Sequence, residues 1–100
     1  MPTPADRLRA LLAQPGLLLM PGCHDAMSAK LVEQAGFPIA FMSGFAVSAA
    51  RLGLPDTGLI SYGEMVDQGR TICGAVSIPL IGDGDTGFGN PLNVKRTDLK

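Results

Sequence analysis

Three short apolar runs recur along the chain, and each is followed by glycine, proline or polar residues. The runs at residues 17–20, 39–42 and 80–81 lack polar alternation, which is typical of strands buried on both faces. Helical patterns lie between these runs, and strands that alternate with helices predict parallel βαβ units with right-handed crossovers. The pattern therefore predicts an α/β fold, and no linker or repeat divides the chain into two domains.

Capping and stop signals give the boundaries of the predicted helices. The first helix begins after Thr3 and ends at Pro15, and the second is capped by Asp25 and ended by Gly36. Further helices are predicted at residues 46–51, at residues 62–75 and from Pro91 onwards. The predicted apolar faces are Leu8, Leu11 and Leu12 in the first helix, Leu31, Val32 and Ala35 in the second, and Met65, Ile72 and Val76 around residues 62–75.

Polar side chains follow each predicted strand at its C-terminal end. His24 and Asp25 come after the first strand, Ser43 after the second, and Asp83 with Asp85 after the third. In parallel α/β folds these ends open on one face, where ligands bind. The sequence therefore predicts one shared site.

Asp83 and Asp85 are separated by a single glycine, so their carboxylates can approach one locus. Paired hard oxygens favour Mg²⁺ or Mn²⁺, and Mg²⁺ is commonly held by one or two carboxylates together with water and substrate oxygens. The alternative is a polar turn with two solvated aspartates. A GxGxxG match across this loop is rejected as a dinucleotide site because the aspartates would repel a pyrophosphate. A calcium loop is rejected because Val94 stands where its glutamate should be.

Ser43, Gly44 and Phe45 offer a hydroxyl and consecutive backbone N–H groups at a strand end, which suits a substrate carboxylate. A simple strand stop is the alternative. Ser43 lacks the G-x-S-x-G setting of a nucleophile. For His24, a structural or surface role is preferred over that of a general base.

Composition narrows the class of protein. A hydrophobic content of 46% and a formal net charge of −1 describe an ordinary globular chain. The only basic cluster, Lys95, Arg96 and Lys100, is too small for a nucleic-acid footprint and is interpreted as a solvated helix face. No apolar run approaches the roughly 18 residues of a membrane span. We expect a cytoplasmic protein without nucleic-acid or membrane partners, whose Cys23 and Cys73 are both small buried hydrophobes.

Taken together, four segments resemble the isocitrate lyase and phosphoenolpyruvate mutase superfamily, particularly its methylisocitrate lyase, dimethylmalate lyase and petal-death-protein group. The segments are PGCHDAMSAK at residues 21–30, SGF at 43–45, LGLPD at 52–56 and DGDTGFGN at 83–90. The resemblance extends from about Leu8 to Thr97. It implies a (β/α)8 TIM barrel, with residues 1–100 as the N-terminal part of that single domain and about three βα units present. It also implies a homo-oligomer, a tetramer, for the full-length parent.

The resemblance also implies roles for individual residues. Asp83 would be a direct Mg²⁺ ligand that also contacts substrate, and Asp85 would act through metal-bound water or as a second ligand. Asp56 would be a catalytic residue on a loop, while Ser43, Gly44 and Phe45 would contact the substrate carboxylate. The implied reaction cleaves a 2-hydroxy di- or tricarboxylate of the 2-methylisocitrate, 2-alkylmalate or oxaloacetate type to a 2-oxo acid and a carboxylate.

Two alternatives stay open beside the lyase. One is a phosphoenolpyruvate mutase or other phosphonate-forming mutase, because the loop with the general-acid cysteine in related lyases falls beyond Lys100. The other is a non-catalytic fragment. A barrel of this kind needs roughly 250 residues, so the isolated chain is expected to be inactive. Neither Cys23 nor Cys73 is expected to replace that cysteine.

Overall fold

Three parallel strands form the sheet of the computed structural model, which describes residues 1–98. Strands β1 (Gly22–Cys23), β2 (Ala40–Met42) and β3 (Leu80–Gly82) lie in the order β1-β2-β3. Cys23 is in register with Met42, and Met42 with Gly82. Because the last residues of all three strands are aligned, the segments that follow them emerge at one edge.

The described residues form five α-helices: α1 (Pro4–Ala13), α2 (Ala26–Gln34), α3 (Gly44–Val47), α4 (Tyr62–Ala75) and α5 (Pro91–Asp98). A π-helical turn, Ser48–Leu52, continues α3 and ends at Gly53, which has a left-handed φ of 64°. The predicted caps are confirmed, since Thr3 and Asp25 both accept the N3 backbone N–H. The predicted helix at residues 46–51 begins two residues earlier, because Ser43 caps it.

The prediction for the first strand was wrong. Residues 17–20 lie outside β1, and Leu17 is 88% exposed. Phe41 donates its N–H to the Pro21 carbonyl at 2.9 Å, but Pro21 itself has no N–H with which to continue the β1–β2 ladder toward residues 17–20. The apolar run therefore precedes the strand instead of forming it.

The buried face of α2 also differs from the prediction. Leu31 is 58% exposed and Ala35 is exposed, whereas Ala29 is fully buried and Val32 packs on the core. Helix α2 lies against α4, and Ala29 is its buried residue. The core consists of Cys23, Ala29, Ala40, Met42, Val47, Ile60, Met65 and Ile72.

The two cysteines differ in environment. Cys23 is buried as predicted, and burial raises the pKa of its thiol, with the Asp25 carboxylate adding to the effect. Cys73 is exposed, which contradicts the prediction, because it lines an open cleft instead of packing in the core. Lys95 and Arg96 are exposed as predicted, and Lys100 lies outside the described residues. No helix within residues 1–98 is long and apolar enough to cross a bilayer.

Candidate active site at the strand ends

The polar residues predicted to share a site do follow the aligned strand ends. The ladder continues one step beyond the strands, because the N–H of Ser43 donates to the carbonyl of Cys23 and the N–H of Asp83 donates to that of Met42, both at 3.2 Å. These bonds fix the first residue after β2 and the first residue after β3. His24, Ser43 and Asp83 thus occupy equivalent positions on one face of the sheet.

The carboxylate of Asp83 is held by two backbone donors. Oδ2 accepts the N–H of Gly44 at 3.0 Å, and Oδ1 accepts the N–H of Asp85 at 2.9 Å. One donor comes from the loop after β2 and the other from its own loop. The carboxylate is therefore fixed in direction, while each oxygen keeps a lone pair for a further partner.

Gly44 is buried directly against this carboxylate, a relationship that we did not predict from the sequence. A Cβ at position 44 would overlap Oδ2 of Asp83. The glycine is thus required for close approach, not for its backbone conformation. The signal in the sequence was the glycine after Ser43, which we interpreted only as a substrate contact.

The three residues Ser43, Gly44 and Phe45 differ in what they can still offer a ligand. The N–H groups of Ser43 and Gly44 already donate to Cys23 and Asp83, and the Ser43 hydroxyl oxygen accepts the N–H of Ala46 at 3.2 Å. Within residues 1–98, the N–H of Phe45 has no protein acceptor, and the hydroxyl proton of Ser43 has none either. The Phe45 side chain is 67% exposed.

The loop after β3 adopts an unusual backbone. Asp85 and Phe88 have positive φ angles of 50° and 63°, in a region that non-glycine residues rarely occupy. The turn is closed by the Gly87 N–H, which donates to the Gly84 carbonyl at 2.9 Å, and the Phe88 ring lies 5.9 Å from that of Tyr62. Such strain persists where surrounding contacts determine the conformation and is concentrated at functional sites.

Asp56 lies in an exposed loop, residues 53–61, which we call the Asp56 loop. Within this loop Ile60 is buried in the core, and Ser61 caps α4. Among the described residues, no hydrogen bond or ion pair connects Asp56 with Ser43, Asp83 or Asp85. The structure therefore joins the Ser43–Gly44 segment to Asp83, whereas the role of Asp56 stays a prediction.

His24 faces its neighbour Asp25, with Nε2 at 3.4 Å from Oδ2. The Asp25 carboxylate accepts the N–H of Ser28 at 2.7 Å, which holds the pKa of that carboxyl below its usual range. The His24 carbonyl accepts the side-chain amide of Gln68 at 2.8 Å. Gln68 was not predicted as a site residue, because the sequence around a polar helix residue does not indicate a hydrogen-bond partner 44 positions away.

The site offers a metal ion few protein ligands, so water and substrate would have to complete the coordination of that ion. Within residues 1–98, no three His, Cys, Asp or Glu side chains come close enough to hold one metal ion, so a cation would rely on Asp83 with or without Asp85. Mg²⁺ is commonly held in this way, through one or two carboxylates. The orientation of Asp83 by two N–H groups and the absence of a Cβ at Gly44 are compatible with such a cation. Beside Asp83 an open cleft of about 480 Å³ is lined by Tyr62, Arg70 and Phe88, among others.

Comparison with known proteins gives a consistent result. The family model described as phosphoenolpyruvate phosphomutase matches residues 8–97. The chloroplastic carboxyvinyl-carboxyphosphonate phosphorylmutase of Arabidopsis thaliana is 50% identical over 92 residues, which cover 91% of this chain and 27% of that protein. The 2,3-dimethylmalate lyase of Eubacterium barkeri is 45% identical over 93 residues, which cover 93% of this chain and 32% of the lyase.

Solved structures agree. A phosphonopyruvate hydrolase in complex with oxalate and Mg²⁺ matches with a TM-score of 0.86 and 42% identity, over 94% of this chain and 33% of that one. A 2,3-dimethylmalate lyase, described as a member of the PEP mutase/isocitrate lyase superfamily, matches with a TM-score of 0.86 and 35% identity, over 99% of this chain and 35% of that one. The chain thus spans about a third of the length of these proteins.

Proposed function

This chain belongs to the phosphoenolpyruvate phosphomutase family, and we propose that it is part of a magnesium-dependent carbon–carbon lyase of that family. Its parallel βα units are those of a (β/α)8-barrel superfamily, as the sequence predicted. The substrate we propose is a 2-hydroxy di- or tricarboxylate of the 2-methylisocitrate, 2-alkylmalate or oxaloacetate type. The relative of known activity that best represents this chemistry is the 45% identical 2,3-dimethylmalate lyase.

The observation that carries the proposal is the fixed carboxylate of Asp83 at the C-terminal edge of the strands. Two backbone N–H groups orient it, and one of them belongs to Gly44, next to the proposed substrate contact Ser43. A single hydrogen bond therefore links the proposed metal ligand to the residue next to the proposed substrate contact. Active sites of parallel barrels lie on this face.

Asp83, with Asp85 directly or through water, would hold Mg²⁺ or Mn²⁺. When bound, the cation would supply Lewis-acid stabilisation of the negative charge that develops on substrate oxygens. The chain's own residues do the rest of the binding: the hydroxyl of Ser43 and the N–H of Phe45 would donate to the substrate carboxylate. Both groups lie at the start of α3, where backbone donors point outward.

The proposed reaction is a retro-aldol cleavage or, for an oxaloacetate-type substrate, a retro-Claisen cleavage in which water first adds to the C2 carbonyl and so supplies the hydroxyl that the next step requires. The substrate hydroxyl loses its proton and becomes a carbonyl, the C2–C3 bond breaks, and its electron pair passes to C3, which is stabilised by the adjacent carboxylate. A proton delivered to that carbon completes the second product. Asp56 is the residue of this chain that we propose to take part in catalysis, from the Asp56 loop.

A phosphonate-forming mutase is the second candidate, because the phosphorylmutase of Arabidopsis thaliana is 50% identical to this chain. The two activities differ in the bond that is broken. The full-length protein, assayed with Mg²⁺, should release a 2-oxo acid from a 2-alkylmalate, which a coupled lactate dehydrogenase assay detects for pyruvate. Conversion of phosphoenolpyruvate to a phosphonate, followed by ³¹P NMR, with no cleavage of any 2-hydroxy acid would favour the mutase instead.

We further propose that residues 1–100 form one part of a single barrel domain and that the full-length protein is a cytoplasmic homo-oligomer, a tetramer. A barrel that is cut leaves sheet edges open, so the rest of the domain is needed to cover β3. Light scattering of the full-length protein tests the oligomer. A monomer at micromolar concentration would contradict it.

A further inference from the structure

We propose that Arg51 and Gln68 are positioning residues that fix the base of the Asp56 loop against the face at the strand ends. The catalytic consequence of this proposal rests on the proposed lyase function. The contacts themselves, and the position of the loop base that follows from them, do not.

Arg51 contacts α4 at three points through one nitrogen. Its Nη1 lies 2.9 Å from Oδ2 of Asp67, 3.1 Å from Oε1 of Gln68 and 3.3 Å from the Glu64 carbonyl oxygen. Because Nη1 carries only two hydrogens, the three acceptors share them, and the longest contact is the weakest. An exposed Arg–Asp pair contributes little by itself. The contact that distinguishes this cluster is the one with the neutral amide of Gln68.

Gln68 connects Arg51 with the residue that follows β1. Its Oε1 accepts from Arg51, so its Nε2 is turned the other way and donates to the His24 carbonyl at 2.8 Å. A flipped amide would place its NH₂ against the guanidinium and its oxygen against a carbonyl. Both ends therefore require the same orientation. Arg51 is thereby tied to His24, the residue directly after β1.

Arg51 lies in the π-helical turn from which the Asp56 loop departs. The turn ends where the N–H groups of Gly53 and Leu54 donate to the carbonyls of Ala49 at 3.0 Å and Ser48 at 3.3 Å. Asp56 follows Pro55 and lies three residues after Gly53. The direction in which the loop leaves the turn is thus set next to Arg51. Single π-helical turns are often found at functional sites.

The catalytic consequence follows from the distance sensitivity of catalysis. A displacement of about 1 Å in a reacting group can cost roughly 10²-fold in rate. If the base of the loop shifts, Asp56 shifts with it, whereas Asp83 and Ser43 are fixed by other bonds. Loss of the anchor should therefore lower kcat and leave metal and substrate binding nearly unchanged.

The test uses three variants of the full-length protein. Arg51→Met keeps the aliphatic stem but removes the donors, and Gln68→Met removes both amide groups. Arg9→Met is the matched control, because it deletes an exposed arginine whose partner is Asp6, at 3.4 Å, within α1. Hydrogen exchange at the amides of Gly53 and Leu54 is measured by NMR, and kcat, KM and Mg²⁺ affinity are measured alongside.

For Arg51→Met and Gln68→Met we expect exchange at Gly53 and Leu54 to accelerate by about 10-fold or more. We expect kcat to fall by roughly 10- to 100-fold while KM and Mg²⁺ affinity stay within about twofold. Arg9→Met should match the wild type. Unchanged exchange at both amides would overturn the anchor, and faster exchange with an unchanged kcat would overturn its positioning role. If the wild type cleaves no 2-hydroxy acid, the lyase function fails, and the exchange data alone decide on the anchor.

Discussion

The backbone N–H of Gly44 donates to the carboxylate of Asp83 at 3.0 Å, across 39 residues of sequence. The bond joins the loop after β2 to the loop after β3, and it requires a residue without a Cβ at position 44. A second donor, the N–H of Asp85, restrains the other carboxylate oxygen. A change in either residue is therefore expected to affect both loops.

The first prediction concerns Gly44→Ala in the full-length protein. The added methyl group would overlap Oδ2, and Asp83 can move away only by giving up its hydrogen bonds to Gly44 and Asp85. We expect Mg²⁺ affinity to fall by about 10- to 100-fold, as is usual when the residues that orient a metal ligand are changed. Isothermal titration calorimetry with Mg²⁺ and oxalate measures this.

Gly74→Ala is the control for that experiment, because a Cβ at this position of α4 meets no atom within 4 Å. It should leave Mg²⁺ affinity unchanged and stabilise the helix by about 0.5–1 kcal/mol. If Gly44→Ala binds Mg²⁺ as the wild type does, the hydrogen bond between Gly44 and Asp83 is dispensable for the metal site.

Local signals predicted most of the helices, because caps and stops act within a few residues. Helix α4 has the predicted bounds, and Thr3, Asp25 and Gly36 act as the sequence indicated. The strand at residues 17–20 was wrong because apolarity does not determine pairing, and Pro21 has no N–H with which to extend the ladder to that run. The exposure of Cys73 and Leu31 likewise depends on what packs against a helix, and periodicity does not contain that information.

The candidate site was predictable in its location and not in its bonding. Strand order and register are enough to bring Ser43 and Asp83 to one edge. The hydrogen bonds of Gly44 with Asp83 and of Gln68 with His24 each join residues about 40 positions apart, and they depend on loop geometry. The motif resemblance identified the residue types. Only the folded structure shows that two of the three N–H groups at residues 43–45 already donate to protein acceptors.

The second prediction tests the core. Ile72 on α4 is fully buried, so Ile72→Ala should lower the free energy of unfolding by about 2–5 kcal/mol. Leu31→Ala removes a similar volume from a side chain that is mostly exposed, and it should cost less than about 1 kcal/mol. Urea unfolding of both variants gives the comparison. Equal losses would mean that α2 buries the face that its sequence pattern indicated.

The third prediction is a dependence of stability on pH. The carboxylate of Glu33 accepts the hydroxyl and N–H of Ser77, at 2.8 and 2.7 Å, and the N–H of Ile78 at 3.1 Å. The Ser77 hydroxyl and N–H hold the pKa of Glu33 below its ordinary value of 4.5. A folded-state pKa below the unfolded one means that this stabilisation is present above about pH 4.5 and is lost as the pH falls through the folded-state pKa.

Glu33→Gln should therefore lower the urea midpoint at pH 7, and the difference from the wild type should shrink below about pH 4. Unfolding at pH 7, 5 and 3 provides the measurement. Ser77→Ala removes the hydroxyl that donates to Glu33. The stability of this variant should therefore also depend less on pH than that of the wild type. A gap between Glu33→Gln and the wild type that is constant from pH 7 to 3 would show that the charge of Glu33 contributes nothing.

The last prediction concerns Asp83 and Asp85, the proposed metal ligands. Asp83→Asn keeps the shape and one acceptor oxygen, but it removes the charge that a hard dication requires, and it turns an NH₂ group toward Gly44 or Asp85. We expect kcat/KM to fall by roughly 10²- to 10³-fold or more, since the substrate would lose its electrostatic anchor. The lost hydrogen bond should cost about 1–2 kcal/mol of stability, which leaves the fold intact by circular dichroism.

Asp85→Asn should be milder, about 10-fold, if Asp85 acts through water, because its side chain is exposed and its N–H still restrains Asp83. Wild-type Mg²⁺ affinity and turnover in a folded Asp83→Asn protein would identify this loop as a polar turn with two solvated aspartates.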